Sequence, residues 1–115
     1  MQYIMLVLGD ESRLNQSPDI SISPAIQAYV EALRKAGVMV GGERLYPSRV
    51  GKRVSKRDGK MRVIDGPYAD TREQVGGYFM FNVKDEAEAL SWAEKCPAAE
   101  YSTLELRRVV ENTPG

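Results

Sequence analysis

Apolar positions in this chain recur with two different periods. Residues 2–8 are apolar on both alternating faces, Tyr3, Met5 and Val7 on one and Ile4, Leu6 and Leu8 on the other. A strand apolar on both faces is covered on both sides, so this stretch predicts a central strand. Residues 9–18 form a polar loop with one apolar member, Leu14. Ser23-Pro24 then has the form of an N-cap with proline at the first helical position. Ile26, Tyr29, Val30 and Leu33 share one stripe, and Gly37 supplies a stop, which predicts a helix over residues 24–36. Val38-Met39-Val40 opens a second strand, in which Gly41-Gly42 suggests a bulge or a close backbone approach.

Residues 50–65 fold back on themselves at Asp58-Gly59, a two-residue hairpin turn. That register sets Val54 opposite Val63 and Arg57 opposite Lys60. A further strand is expected from Tyr78 to Val83, with Tyr78 and Met80 on one face and Phe79, Phe81 and Val83 on the other. Asp85 with Glu88 has capping-box spacing, and Leu90, Ala93 and Cys96 are expected on the buried side of a helix that Pro97 ends. From Thr103 the pattern alternates, Leu104 and Leu106 against Glu105 and Arg107. The order β-α-β-(hairpin)-β-α-β is that of a ferredoxin-like α+β domain, an antiparallel sheet with two helices on one face. The uncovered face, expected to carry Tyr3, Met5, Tyr78 and Met80, is too apolar to leave wet. A second copy packed sheet to sheet is the simplest cover.

The run from Ile64 to Phe79 breaks this patterning. In Asp65-Gly66-Pro67-Tyr68-Ala69-Asp70-Thr71-Arg72-Glu73-Gln74-Val75-Gly76-Gly77-Tyr78-Phe79, residues suited to backbone geometry and charge replace apolar ones. Gly66 precedes Pro67 and is biased toward extended or mirror-image backbone, with Pro67 and Tyr68 in a tight turn. Asp65 can brace that turn through backbone N–H groups. Thr71 and Gln74 have the spacing for one helical turn, after which a strand opens at Tyr78. This run resembles the signature of the DGPF branch of the YCII-related proteins, with Tyr68 where that branch usually has Phe. The resemblance extends to Tyr3-Ile4-Met5-Leu6, to Gly37-Val38-Met39-Val40-Gly41-Gly42-Glu43, to the Trp92-Ala93 helix and to the last strand. It implies a bacterial, homodimeric domain of the dimeric α/β-barrel type.

Composition narrows the chemistry. The chain of 115 residues is a single domain, residues 1–115, with zero formal net charge and nothing global to draw it to nucleic acid or anionic membrane. The apolar start is too short to span a bilayer and lacks a basic leader and a small-residue cleavage site, so it is expected to be a strand. Cys96 is the one cysteine, which fits a reducing, cytoplasmic setting. There is no histidine. Without it the usual zinc site, the Ser-His and Cys-His pairs and the histidine base are all missing. No metal and no cofactor is therefore expected. Gly76-Gly77 lacks the Gly-Lys-Ser/Thr ending of a phosphate loop.

Three groups of side chains remain as candidates. Asp65 and Asp70, with Glu73, are the candidate catalytic carboxylates, because paired carboxylates in a partly apolar cleft can act as acid and base without histidine. The plain alternative is that Asp65 and Asp70 cap local turns while Glu73 faces water. In the wider YCII-related family a His and an Asp are the proposed catalytic pair, and here only an Asp is available. Glu43 and Arg44, with Glu105 and Arg107, stand at or near strand ends and are candidates to line a polar pocket together with Tyr68, Glu73 and Tyr78. Their alternative is a set of ion pairs at the rim of an interface.

The third group is the basic hairpin 49–62. Between Arg44 and Arg62 stand eight basic residues and one acidic, Asp58, a local charge of +7 that the rest of the chain balances. A basic ribbon can enter a nucleic-acid groove, but this one lacks interleaved aromatics, and basic residues also protect exposed edges. The protected edge is the preferred reading. The function expected is binding of a small polar molecule in a cleft of the homodimer, with weak acid–base activity as an extension. The alternative is a regulatory or interaction module in transcription, suggested by relatives of this branch fused to sigma-factor domains.

Overall fold

The computed structural model describes residues 1–10, 23–66 and 73–111. Four strands form one antiparallel sheet: β1 (Gln2–Gly9), β2 (Met39–Arg44), β5 (Gln74–Asn82) and β6 (Thr103–Arg108). Their spatial order is β2-β5-β1-β6, the ferredoxin-like arrangement. Strands β3 (Lys52–Arg57) and β4 (Lys60–Asp65) form a separate two-stranded sheet inserted between β2 and β5. Helices α1 (Pro24–Lys35) and α2 (Glu86–Glu94) complete the α+β fold, with short 3₁₀ turns at Ser48–Val50 and Pro97–Glu100.

Local chemistry sets the element ends. The Ser23 hydroxyl accepts from the Ile26 N–H at 3.2 Å, and Gly37 leaves α1 at φ 71°. At α2 the Glu88 N–H donates to the Asp85 carboxylate at 2.9 Å, while the Glu88 carboxylate accepts from the Lys84 N–H at 2.8 Å. This is a capping box whose return bond lands one residue early. The hairpin turns where expected. Asp58 and Gly59 both take positive φ, 52° and 76°, and Val54 and Arg57 lie opposite Val63 and Lys60. The Gly41-Gly42 region also follows its pattern. A register shift falls between Met39 and Gly41, and a Cβ on Gly42 would meet the Tyr78 carbonyl oxygen at 2.7 Å. Gly77 is equally constrained, its Cβ position lying 2.9 Å from the Glu43 carbonyl oxygen.

The core lies between the sheet and the two helices. Tyr3 and Met5 of β1 pair with Phe81 and Phe79 of β5, and Met5 pairs with Leu106 of β6. Onto this face pack Tyr29 and Leu33 from α1 and Ala89 and Ala93 from α2, with Val38, Val83, Cys96 and Ala98. Tyr29 ties the layers together. Its ring meets Phe79 edge-on at 5.6 Å and its hydroxyl donates to the Trp92 carbonyl at 2.7 Å.

Three expectations need correction. Tyr3 and Met5 belong to the helix-covered core, and the uncovered face carries Ile4, Leu6, Leu8, Tyr78 and Met80 instead. Cross-strand register decides this: Tyr3 stands beside Phe81 and Leu6 beside Tyr78. Leu90 is 51% exposed, because Ala89 and Ala93, one turn apart, hold the inner stripe of α2. Finally, β5 opens at Gln74, four residues before Tyr78, and Gln74 pairs with Gly9 where a helical turn was expected to end. Thr71, the other half of that capping pattern, lies outside the described residues.

Burial raises the pKa of the Tyr29 hydroxyl, and the neighbouring Cys96 adds to the effect. Burial also pushes the Cys96 thiol up, partly offset by a backbone hydrogen bond at Ala98. The folded chain therefore holds both protons longer than the unfolded chain does. Their contribution is complete below the unfolded thiol pKa of about 8.5 and is lost as pH rises above it, with tyrosine adding its share from about 10. Urea denaturation at stepped alkaline pH should show stability falling by up to about 1.4 kcal/mol per pH unit for each group in its window. Cys96→Ala should remove the earlier part of that fall. An unchanged profile in this variant would contradict the assignment.

Candidate functional site

Strand alternation sends the even-numbered residues of β1 away from the helices. Ile4, Leu6 and Leu8 of β1 and Tyr78 and Met80 of β5 make an apolar floor, each half-buried in the single chain. Register orders this face into rows. Glu43 pairs with Tyr78, Tyr78 with Leu6, and Leu6 with Glu105, so one row runs Glu43–Tyr78–Leu6–Glu105 across all four strands. The adjacent row runs Gly41–Met80–Ile4–Arg107. Three strand spacings separate Glu43 from Glu105, roughly 14 Å between backbones. Arg107 lies two residues along β6 from Glu105 on the same side. The face is thus an apolar floor with a carboxylate at each edge and a guanidinium beside one of them.

Arg44 departs from this set. It pairs with Gly77, which pairs with Val7 on the core side, so Arg44 points to the opposite face from Glu43. Consecutive residues of a strand face opposite ways, and the pocket grouping of Glu43 with Arg44 is corrected on that ground.

The candidate carboxylates have partners of their own. Asp65 closes β4 directly opposite Lys52, whose Nζ donates to its carboxylate at 2.6 Å. Both side chains are well exposed, 66% for Lys52 and 79% for Asp65. The adjoining Gly66 has φ 83°, and its N–H donates to the Gly51 carbonyl at 2.9 Å, closing the hairpin base. Glu73 stands just before β5 and accepts from the Thr103 hydroxyl at 2.7 Å, joining the start of β5 to the start of β6. Tyr68 and Asp70 lie outside the described residues. Among the described residues, no three His, Cys, Asp or Glu side chains are grouped to hold a metal ion. Cys96 is buried in the core beneath α2 and the following 3₁₀ turn.

The profile of the YCII-related domain matches residues 1–113, nearly the whole chain. The chain belongs to the YCII-related family. It is also similar to an uncharacterized protein of Rhizobium meliloti (strain 1021), 28% identical over 120 residues that cover 100% of this chain and 97% of that one. Among the described residues of this YCII-related chain, no helix is long and apolar enough to cross a membrane.

Residue chemistry alone named Glu43, Tyr78, Glu105 and Arg107 but missed the floor of Ile4, Leu6 and Leu8. The signal was present in β6. Leu104 and Leu106 there mark the core side, so whichever β1 residues pair with Glu105 and Arg107 must lie on the open side.

For the Lys52–Asp65 pair, exposure decides the magnitude. An ion pair in high dielectric is worth at most about 1 kcal/mol. A double-mutant cycle of Lys52→Ala and Asp65→Ala, read by urea denaturation, should give a coupling below that value that fades at about 1 M salt. A coupling of several kcal/mol would place Asp65 in a desolvated setting and restore it as a catalytic candidate.

Proposed function

We propose that this YCII-related chain binds a small polar molecule at the open face of its sheet, with two copies packed face to face around the site. The observation that carries the reading is the row Glu43–Tyr78–Leu6–Glu105 with Arg107 alongside. Five half-buried apolar side chains on a side that neither described helix covers need a cover, and a second identical face supplies one with matching curvature. Packing two such faces would leave the charged edges to converge around the perimeter. Arg107 is the group suited to a carboxylate or phosphate, through its two-pronged donor geometry. Glu43 and Glu105 suit an amine or hydroxyl donor. Tyr78 offers an aromatic face beside Glu43.

This reading favours binding over turnover. A paired-carboxylate mechanism needs two of them near one reacting atom, and within one chain Glu43 and Glu105 stand at opposite edges of the sheet. Weak acid–base activity at Asp65 or Asp70 would require the loop between them to bring Asp70 to an exposed Asp65 already engaged by Lys52.

Light scattering at micromolar concentration should give twice the chain mass of 12.8 kDa. Met80→Glu should yield monomer, because a charge on the buried floor without a partner costs several kcal/mol. Thermal shift against a panel of small carboxylates and phosphates should find compounds that raise the Tm of the wild type and fail with Arg107→Ala, which remains dimeric. A monomeric wild type, or equal shifts in both proteins, would overturn the reading.

A further inference from the structure

The hairpin β3–β4 is left unaccounted for by a site on the open sheet face. A two-stranded sheet alone is marginal in water, yet this one exposes its apolar residues: Val54 63%, Met61 64% and Val63 61%. Register places them together. Lys52, Val54 and Lys56 lie on one face of the ribbon, opposite Asp65, Val63 and Met61. That face is an apolar centre with Lys56 at one end and, about 13 Å away over four strand residues, Lys52 at the other, where it shares the face with its ion-pair partner Asp65. Arg53, Arg57, Lys60 and Arg62 fall on the other face. The chain's radius of gyration of 16.2 Å exceeds the roughly 13 Å of a compact chain of this length.

A complementary stripe lies on α2. Glu86, Leu90 and Glu94 recur every four residues on its outer side, all exposed. The glutamates are about 12 Å apart over eight helical residues. An exposed leucine midway between two acids matches, in spacing and in sign, exposed valines midway between two lysines. Among the described residues Lys56, Glu86 and Glu94 have no ion-pair partner. The +7 of the hairpin segment is balanced by the remainder of the same chain.

We propose that the hairpin of one chain lies on the outer face of α2 of a second copy, Val54 and Val63 against Leu90, with Lys56 reaching one of Glu86 and Glu94 and Lys52 exchanging its exposed pair with Asp65 for the other. A second copy fits better than a polyanion on this face. The centre of the ribbon is apolar, it offers no aromatic for a base to stack on, and the whole chain carries no net charge to attract one. The contact uses none of the residues of the open sheet face, so its success or failure is separate from that of the proposed ligand site.

The test is a directed cross-link in a Cys96→Ala background. A chain carrying Val63→Cys is co-expressed with a differently tagged chain carrying Leu90→Cys, and mild oxidation follows. The expected result is a mixed disulfide at least tenfold above either self-linked product. Adding Lys52→Glu and Lys56→Glu to the first chain should abolish it, and adding Glu86→Lys and Glu94→Lys to the second should restore it. Apart from the conservative Cys96→Ala change in the core, the six substituted positions are exposed, and circular dichroism verifies that each variant keeps the fold. A mixed product indifferent to charge reversal overturns the proposal. So does its absence while duplex DNA shields the Val63→Cys thiol from alkylation, which would give this face to nucleic acid.

Discussion

The fold rests on one constraint: β1 is apolar on both faces and the two described helices cover only one. Tyr3, Met5 and Phe81 are buried beneath α1 and α2, with Phe79, Leu104 and Leu106 partly buried beside them. Ile4, Leu6 and Leu8 are left on the open side with Tyr78 and Met80. Everything that positions the candidate site follows from that division. The close approach of β2 and β5 at Gly42 and Gly77 brings Glu43 into line with Tyr78. The alternation of β6 sends Glu105 and Arg107 to the same side while its leucines close the core.

How much of this is legible in the residues depends on the range of the interaction. Turn and cap chemistry acts over two to four residues, and the Asp58-Gly59 hairpin, the Ser23 cap and the Asp85–Glu88 cap all appear where their patterns stand. Strand order was readable because two helices and four core strands leave few arrangements. The orientation of β1 was not, since an alternation of apolar with apolar has no preferred side. Only its pairing with β6, where one side is charged, resolves it. Leu90 misleads for a related reason. A short helix with alanines at 89 and 93 approaches the sheet closely along that stripe and turns the larger side chain outward.

The site residues divide along the same line. Glu43 and Arg44 are adjacent in the chain and therefore opposite in the sheet, whereas Glu43 and Glu105, distant in the chain, share a row. Sequence neighbours suggest a pocket that the pleat forbids. Asp65 illustrates the converse: its family-like motif draws attention, but its position at the exposed base of a hairpin, opposite Lys52, gives it a structural occupation. Among the described residues the carboxylates Glu43 and Glu105 stand at opposite edges of the open face, and Asp65 lies at the base of the hairpin.

The hairpin sharpens what kind of molecule this is. Its turn dihedrals, the Gly66 to Gly51 hydrogen bond and the Lys52–Asp65 pair hold the ribbon's shape at both ends. None of these shields Val54, Met61 or Val63, and a protected edge would need only the charges. Lysine and arginine in place of those three side chains would have served protection better, so the apolar centre requires a separate cause. The open sheet face poses the same question on the far side of the sheet from the helices. One chain thus carries two apolar surfaces, each bordered by charge, whose bordering charges the chain itself also supplies in the opposite sign. The two proposed contacts between copies would cover both surfaces with the same chain.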